Sequence, residues 1–307
     1  MSDAIQPNLS SLIRLREEAG GLRLTRGGKV PATRSGGHLS RFRGRGMEFD
    51  ESRVYQVGDD PRNMDWRVTA RAGTPHVKQF REERERPVWL LVDLGPRMRF
   101  GTRVAFKSVV AAHAAALLGW AAVDQGDRVG GLIFDETRHH ERRPAARTRG
   151  LLPLLKYLCM SPRTGCDGGY RGIAEAVTHL ERLVRPGGLV FVVSDFLAVD
   201  LDRCQWVNRL AGRGELLLVH VYDPLEAHAP PAGLYPVTDG GFRGVLDTRS
   251  GVDRERYDQR LVARVGALER IVRSYGAHLL SLSTDEAVGT ALQRGLGLWG
   301  TAPGRGR

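Results

Sequence analysis

Four aspartates stand where short apolar runs end. Asp93 follows residues 88–92, Asp135 follows 128–134, Asp195 follows 189–194, and Asp223 follows 215–222. Runs this short, bounded by turn residues, predict buried strands. Carboxylates gathered on one rim of a parallel sheet would offer oxygen ligands to a hard cation such as Mg²⁺. With two ions, Asp93, Asp195 and Asp223 would suit hydrolysis of a phosphate ester. The other common role of a strand-end aspartate is to cap the next turn or helix. Asp135 and Asp223 are expected in that capping role, whereas Asp93 and Asp195 stand open between the two roles.

The elements that must position these groups alternate. Strands are predicted at 88–92, 128–134, 189–193, 215–221 and 278–282, and 138–143 returns as an antiparallel edge. Helices are predicted at 102–124, with Thr102 as cap, and at 150–159, 172–184, 201–210, 254–275 and 286–294. This order predicts an α/β fold with a doubly wound, mostly parallel sheet covered on both faces. Such sheets place ligands just past the carboxyl ends of their strands. After Asp93 come Gly95, Pro96, Arg97, Arg99 and Gly101, a loop at such an end. Residues 1–35 read as an N-terminal helix and linker, and 36–86 as a smaller β-rich region. The main domain is expected over 87–295, with a hairpin insertion at 233–249 and a flexible tail from 296 to 307.

The chain has 307 residues, with 46 Lys+Arg against 35 Asp+Glu and a net charge of +11. Its pI is near 10.2 and its mean hydropathy is −0.30. Such a balance favours acidic partners or nucleic acid. The basic residues are interspersed with acidic ones along the whole chain, which favours a general arginine bias over a nucleic-acid surface. Cys159, Cys166 and Cys204 form no CxxC pair and are expected as reduced thiols. Asp3 near the start and the lack of an apolar leader run argue against a signal peptide. The longest apolar stretch, 104–123, is interrupted by Lys107, Ser108 and His113, so no membrane span and a cytoplasmic protein are expected. Gly28-Lys29 hints at a phosphate loop, but Arg23 and Val30 stand where that pattern needs glycine and Ser/Thr.

A charged region precedes the main domain. His38, Arg41, Arg43, Arg45, Arg62, Arg67 and Arg71 interleave with Glu48, Asp50, Glu51, Asp59, Asp60 and Asp65. Mixed signs favour an internal ion-pair network that fixes loops; the alternative is a grip on phosphate or an acidic partner. Trp66 is expected as a packing anchor.

The ordered set Gly37-His38, Ser40-Arg41, Gly44-Arg45-Gly46-Met47-Glu48-Phe49, Tyr55-Gln56, Gly58-Asp59-Asp60, Arg62, Asp65-Trp66 and Thr69-Ala70-Arg71 carries a resemblance. It continues through Lys78, Phe80, Glu82-Glu83, Asp93, Phe100-Gly101, Lys107, Ser194-Asp195-Phe196, Tyr222-Asp223-Pro224 and Ser283-Thr284-Asp285. Over residues 36–295 the chain resembles the bacterial domain of unknown function 58 family. The resemblance implies a von Willebrand factor A-like fold with a metal-ion-dependent adhesion site. Carried over by position, Asp93 is the first metal ligand, Asp195 the later one, and Thr164 stands nearest the threonine slot. Here the two serine ligands of that site are replaced by Gly95 and Arg97. A positive charge beside the ion disfavours it, so a degenerate site is expected, with Arg97 or Arg99 pairing Asp93 or Asp195. The alternative is that Arg97 points to solvent and a weak Mg²⁺ site survives. The resemblance further implies a MoxR-type AAA+ ATPase as partner. The implied role is that of a non-enzymatic adaptor in protein maturation, assembly or stress response. The alternatives are a metal-dependent phosphohydrolase or nuclease, and nucleic-acid binding through the basic surface.

Overall fold

The computed structural model describes residues 2–24, 47–82, 85–136, 138–160, 172–238 and 243–301. The chain divides into two compact units: Met1–Lys29 with Arg86–Arg307, and Val30–Glu85. The larger unit therefore takes up the first 29 residues as well as everything after residue 85.

The larger unit opens with α1 (Leu9–Arg14) and α2 (Arg16–Ala19). The smaller unit holds β1 (Met47–Val54), α3 (Trp66–Ala72) and β2 (His76–Glu82), with β1 and β2 paired antiparallel. The larger unit resumes with β3 (Pro87–Asp93), α4 (Lys107–Asp124), β4 (Arg128–Phe134), β5 (His139–Ala146), α5 (Thr148–Leu158) and α6 (Ile173–Leu183). Then follow β6 (Gly188–Ser194), α7 (Gln205–Ala211), β7 (Gly214–Tyr222), α8 (Pro224–Ala227), β8 (Leu234–Thr238) and β9 (Arg243–Asp247). The last elements are α9 (Gly251–Ser274), β10 (His278–Ser283) and α10 (Val288–Thr301).

The central sheet has six strands in the order β10-β7-β6-β3-β4-β5. Every pairing is parallel except β4 with β5. Strands buried on both faces carry continuous apolar runs, and β3 (PVWLLVD) and β6 (GLVFVVS) do so. Alternation splits their side chains between two cores. Val88, Leu90 and Val92 pack with α4, α5 and α10 on one face, and Trp89 and Leu91 pack with α6, α7 and α9 on the other. The chain runs from β3 outward to β4 and β5, then crosses back to β6, β7 and β10 on the opposite side of β3. The topological switch point lies between β3 and β6, where open α/β sheets form their crevice.

Helix α4 is the centre of the first core. Its small residues, Ala111, Ala112, Ala114, Ala115 and Ala116, are fully buried. Small side chains let α1, α2, α5, α10 and the sheet all approach one helix. Residues 9–24 close over it: Trp120 Nε1 donates to the Leu12 carbonyl at 2.9 Å, and Gln125 bonds the Leu22 carbonyl and the Leu24 N–H.

Two expected boundaries move. Thr102 does not cap α4, which starts at Lys107 instead. Residues 296–301 are not a flexible tail but the end of α10, where Leu296 and Trp299 are buried in the first core. The glycines there looked like helix breakers. Gly295 is instead a close-approach position, where a Cβ would run into the Leu280 side chain.

Candidate functional site at the strand-end rim

The register brings the strand ends level. Asp93 lies opposite Phe134, Ser194 opposite His220, and Tyr222 opposite Ser283. Asp135, Asp93, Asp195, Asp223 and Thr284 therefore stand along one rim, in the strand order β4, β3, β6, β7, β10. Asp93 and Asp195 flank the switch point.

Each carboxylate is held by groups of this chain. Asp93 Oδ1 accepts from the Gly95 N–H at 2.8 Å and Oδ2 from the Ser194 hydroxyl at 2.8 Å. Asp195 is 3% exposed; its Oδ1 accepts from the Leu197 N–H at 3.0 Å. Its Oδ2 meets the Lys107 ammonium at 2.9 Å. Lys107 is the first residue of α4, is 1% exposed, and also reaches Glu226 Oε1 at 2.7 Å. Its Nζ lies 5.8 Å from the centre of the Phe100 ring. Glu226 uses its other oxygen on the Asp223 N–H, completing a capping box at α8.

Asp223 is the second hub. It accepts from the Thr102 N–H, the Thr102 hydroxyl, the Thr284 hydroxyl and the Leu225 N–H, at 2.6–3.0 Å. Burial opposes its ionisation, yet the two hydroxyls and the N–H donors outweigh it and hold the carboxyl below the usual range. Thr102 does not cap α4 because the helix begins five residues further on, at Lys107, while Thr102 gives its N–H and hydroxyl to Asp223. The loop from Asp93 to Lys107 is thus pinned at Gly95, at Thr102 and by the Lys107 N–H on the Phe100 carbonyl at 2.8 Å. Gly101 is required in it, because a Cβ there would strike the Ala105 carbonyl. Asp135 serves the turn between β4 and β5, taking the Arg138 N–H and guanidinium.

Arg97 and Arg99, expected on these carboxylates, are exposed on the loop. The cation that reaches Asp195 is Lys107, which in the sequence interrupts an apolar stretch and belongs to the set carrying the resemblance but was given no role at the site. Its signal was a lone lysine opening a helix whose next dozen residues are almost wholly apolar, which demands a buried counter-charge. Phe196, just past Asp195, has φ 50°. A bulky residue at positive φ costs about 1–3 kcal/mol, and here its buried ring and the Arg264 guanidinium on its carbonyl at 2.9 Å hold it.

The residues present do not fit the divalent ion that the resemblance implies. An ammonium sits on the aspartate that would ligate it. A Cβ at Gly95 would lie 3.0 Å from Asp93 Oδ1, so that carboxylate folds into the space a serine ligand needs. Among the described residues, no three His, Cys, Asp or Glu side chains group as a metal cage. Thr164 lies outside the described residues.

The sequence profile described as a protein of unknown function, DUF58, matches residues 51–264. The chain belongs to the DUF58 family. It is 33% identical over 296 residues to uncharacterized proteins of Mycobacterium bovis and Mycobacterium tuberculosis, covering 92% of this chain and 87% of theirs. Among solved structures it is similar to the conserved hypothetical protein BatB of Bacteroides thetaiotaomicron. That likeness has 14% identity, TM-score 0.41, 71% of this chain and 100% of that one. It is also similar to an aerotolerance-related membrane protein of Bacteroides fragilis, with 14% identity, TM-score 0.43, 69% of this chain and 99% of that one. A third is an uncharacterized membrane spanning protein of Vibrio fischeri, with 15% identity, TM-score 0.23, 67% of this chain and 94% of that one. The expected cytoplasmic location is corrected by these neighbours, two of which are described as membrane proteins. No helix among the described residues is long and apolar enough to cross a membrane.

In the smaller unit of this DUF58 chain, Asp59, Asp60 and Asp65 are spent on neighbouring loop and helix groups. Arg53 pairs with Asp59 at 2.6 Å, and the Gln56 N–H also bonds Asp59; together they hold that carboxyl below its usual range. Asp60 accepts from the Arg62 N–H, and Asp65 caps α3 through the Val68 N–H while taking the Ser52 hydroxyl. Arg62 and Arg71 are exposed. Trp66 is no packing anchor: it opens α3 and is 70% exposed. His38, Arg41 and Arg45 lie outside the described residues.

Two outcomes at the rim follow from its titratable groups. Burial pushes the Asp93 carboxyl up, the Asp195 charge adds to this, and the Gly95 N–H, Ser194 hydroxyl and Lys107 oppose it. Its charge is therefore carried at a cost near neutral pH. Asp93→Asn keeps an acceptor for Gly95 and should change stability by less than about 1 kcal/mol in urea denaturation at pH 7. A loss near that of a broken ion pair would show that the charge itself is needed. His220 lies buried on β7, stacked on Tyr222, and burial lowers its pKa from 6.5 to about 4; Asp195 opposes this, while Lys107 and Arg264 add to it. The unfolded chain takes the proton first as pH falls, so stability is full above pH 6.5 and is lost between there and about 4. The loss should reach roughly 3 kcal/mol, while Asp93 works in the opposite direction. Comparing melts of the wild type and His220→Gln between pH 7 and 4 checks this; equal slopes would refute it.

Proposed function

We propose that this DUF58 chain is a non-enzymatic interaction module. In this reading it is an adaptor for a MoxR-type AAA+ ATPase in protein maturation, assembly or stress response. Its larger unit is read as a von Willebrand factor A-like domain whose metal-ion-dependent adhesion site has degenerated. The observation that carries this reading is the state of the rim. At the switch point, where an α/β enzyme would hold reactive groups, Asp93, Asp195 and Asp223 are spent on internal donors and one internal ammonium. That is the chemistry of a fixed surface rather than of turnover. A phosphohydrolase reading would need Asp223 to share ions with Asp93 and Asp195, and four donors already engage its oxygens. The exposed Arg97 and Arg99 on the loop above suit contact with an acidic surface.

The test is a pulldown from native cells with the tagged full chain, with and without ATP, alongside Arg97→Glu. A MoxR-type ATPase enriched with the wild type and reduced with Arg97→Glu supports the reading and places the contact at this loop. Enrichment unaffected by the reversal moves the contact elsewhere. No such ATPase under either nucleotide condition overturns it.

A further inference from the structure

The N-terminus of α4 faces the switch point, and a helix N-terminus carries partial positive charge that favours anions. A buried lysine at this position is disfavoured twice, by the helix dipole and by desolvation. Lys107 is nevertheless 1% exposed there and bonded to Asp195 and Glu226. The surrounding oxygens are shared out in a particular way. Asp93 faces Gly95 N–H and the Ser194 hydroxyl, Asp195 Oδ1 faces Leu197 N–H, and Glu226 Oε2 faces Asp223 N–H. One oxygen of Asp195 and one of Glu226 are left for a cation, and the ammonium takes both.

We infer that Lys107 is the resident cation of this site, an ammonium standing where a divalent ion would draw on Asp195 and Glu226. The rim is therefore complete without Mg²⁺, and its order does not depend on any divalent ion. The inference rests on the side chains alone and is independent of the ATPase reading. A second positive charge within a few ångströms of the ammonium would meet strong repulsion in this shielded site. Removing the ammonium reverses the balance, because the buried Asp195 and the partly exposed Glu226 then face a space shaped for a cation, with Asp93 beside them.

The experiment is titration of the full-length chain with Mn²⁺, followed by the loss of the free-ion electron paramagnetic resonance signal. The wild type should bind no stoichiometric Mn²⁺, and chelator should not shift its melting transition. Lys107→Ala should bind one equivalent, at least about a hundredfold more tightly than the wild type, and Lys107→Ala/Asp195→Asn should lose it. One equivalent bound by the wild type and lost in Asp195→Asn overturns the inference. So does a folded Lys107→Ala that binds none, or a double variant that still binds. Should Lys107→Ala not fold in chelator, recovery of its melting transition in Mg²⁺ is the readout: recovery supports the inference, and its failure overturns it.

Discussion

Lys107→Met is expected to destabilise the larger unit by about 3–5 kcal/mol, the cost of breaking a buried ion pair from one side. For a unit of this size the melting transition should fall by roughly 10 °C. Methionine keeps most of the stem volume, so little of the loss comes from a cavity. It comes from Asp195, 3% exposed, whose carboxylate keeps, among the described residues, the Leu197 N–H alone. Glu226 suffers less, because it still caps α8 and is partly exposed. The pairing with Asp195 is separable by a double-mutant cycle. Lys107→Met/Asp195→Asn should recover at least half of the loss, since the buried Asp195 charge is gone and only the partly exposed Glu226 lacks its ammonium. A single-variant loss under about 1 kcal/mol would mean that the pair behaves as a solvated one.

Asp223→Ala should cost a comparable amount, about 4 kcal/mol, because each of the four hydrogen bonds to this buried carboxylate contributes about 1 kcal/mol. Four donors lose their acceptor: the Thr102 N–H and hydroxyl, the Leu225 N–H and the Thr284 hydroxyl. These come from the loop before α4, from α8 and from the end of β10, so the change uncouples three separate segments. Hydrogen exchange should show it locally, with the Thr102 and Leu225 amides losing protection before the β3 and β6 amides do. Asp223→Asn keeps one acceptor oxygen and should cost about half as much. Because the fold holds this carboxyl below its usual range, its contribution is present at neutral pH and is lost in acid, as pH falls through the lowered pKa. Wild type and Asp223→Ala should therefore converge in stability at low pH. Parallel stability curves across that range would rule out the charged form as the acceptor that matters.

The strands were legible because β3, β6 and β7 are buried on both faces and so carry unbroken apolar runs, and the carboxylates at their ends were legible with them. What stood beyond the sequence was pairing at long range. Nothing local says that Thr102 answers to Asp223, 121 residues away, or that Lys107 answers to Glu226, 119 residues away. Thr102 carries the right chemistry for a helix cap, but α4 begins five residues beyond it and its donors go to Asp223. An arginine was expected at Asp93 or Asp195 because Arg97 takes the place of a serine ligand in the resembled site, yet the loop turns Arg97 and Arg99 outward while Lys107, at the start of α4, turns in. The end of α10 was missed for a related reason. Gly295 and Gly297 break helices by propensity, but burial of Leu292, Leu296 and Trp299 on one stripe outweighs that cost.

The division of the chain into two units has a consequence for synthesis. Residues 9–24 belong to the larger unit, yet the smaller unit, Val30–Glu85, interrupts it before α4 is reached. On the ribosome, Leu12, Ala19, Leu22 and Leu24 emerge some hundred residues ahead of the helix that will cover them. Through that interval the nascent segment has its apolar side chains uncovered while the inserted unit can already pair β1 with β2. The leading helices are therefore a waiting segment, uncovered until α4 has been made. A clone begun at the inserted unit would lack them, leaving Trp120 and its neighbours on α4 bare and the product prone to aggregate.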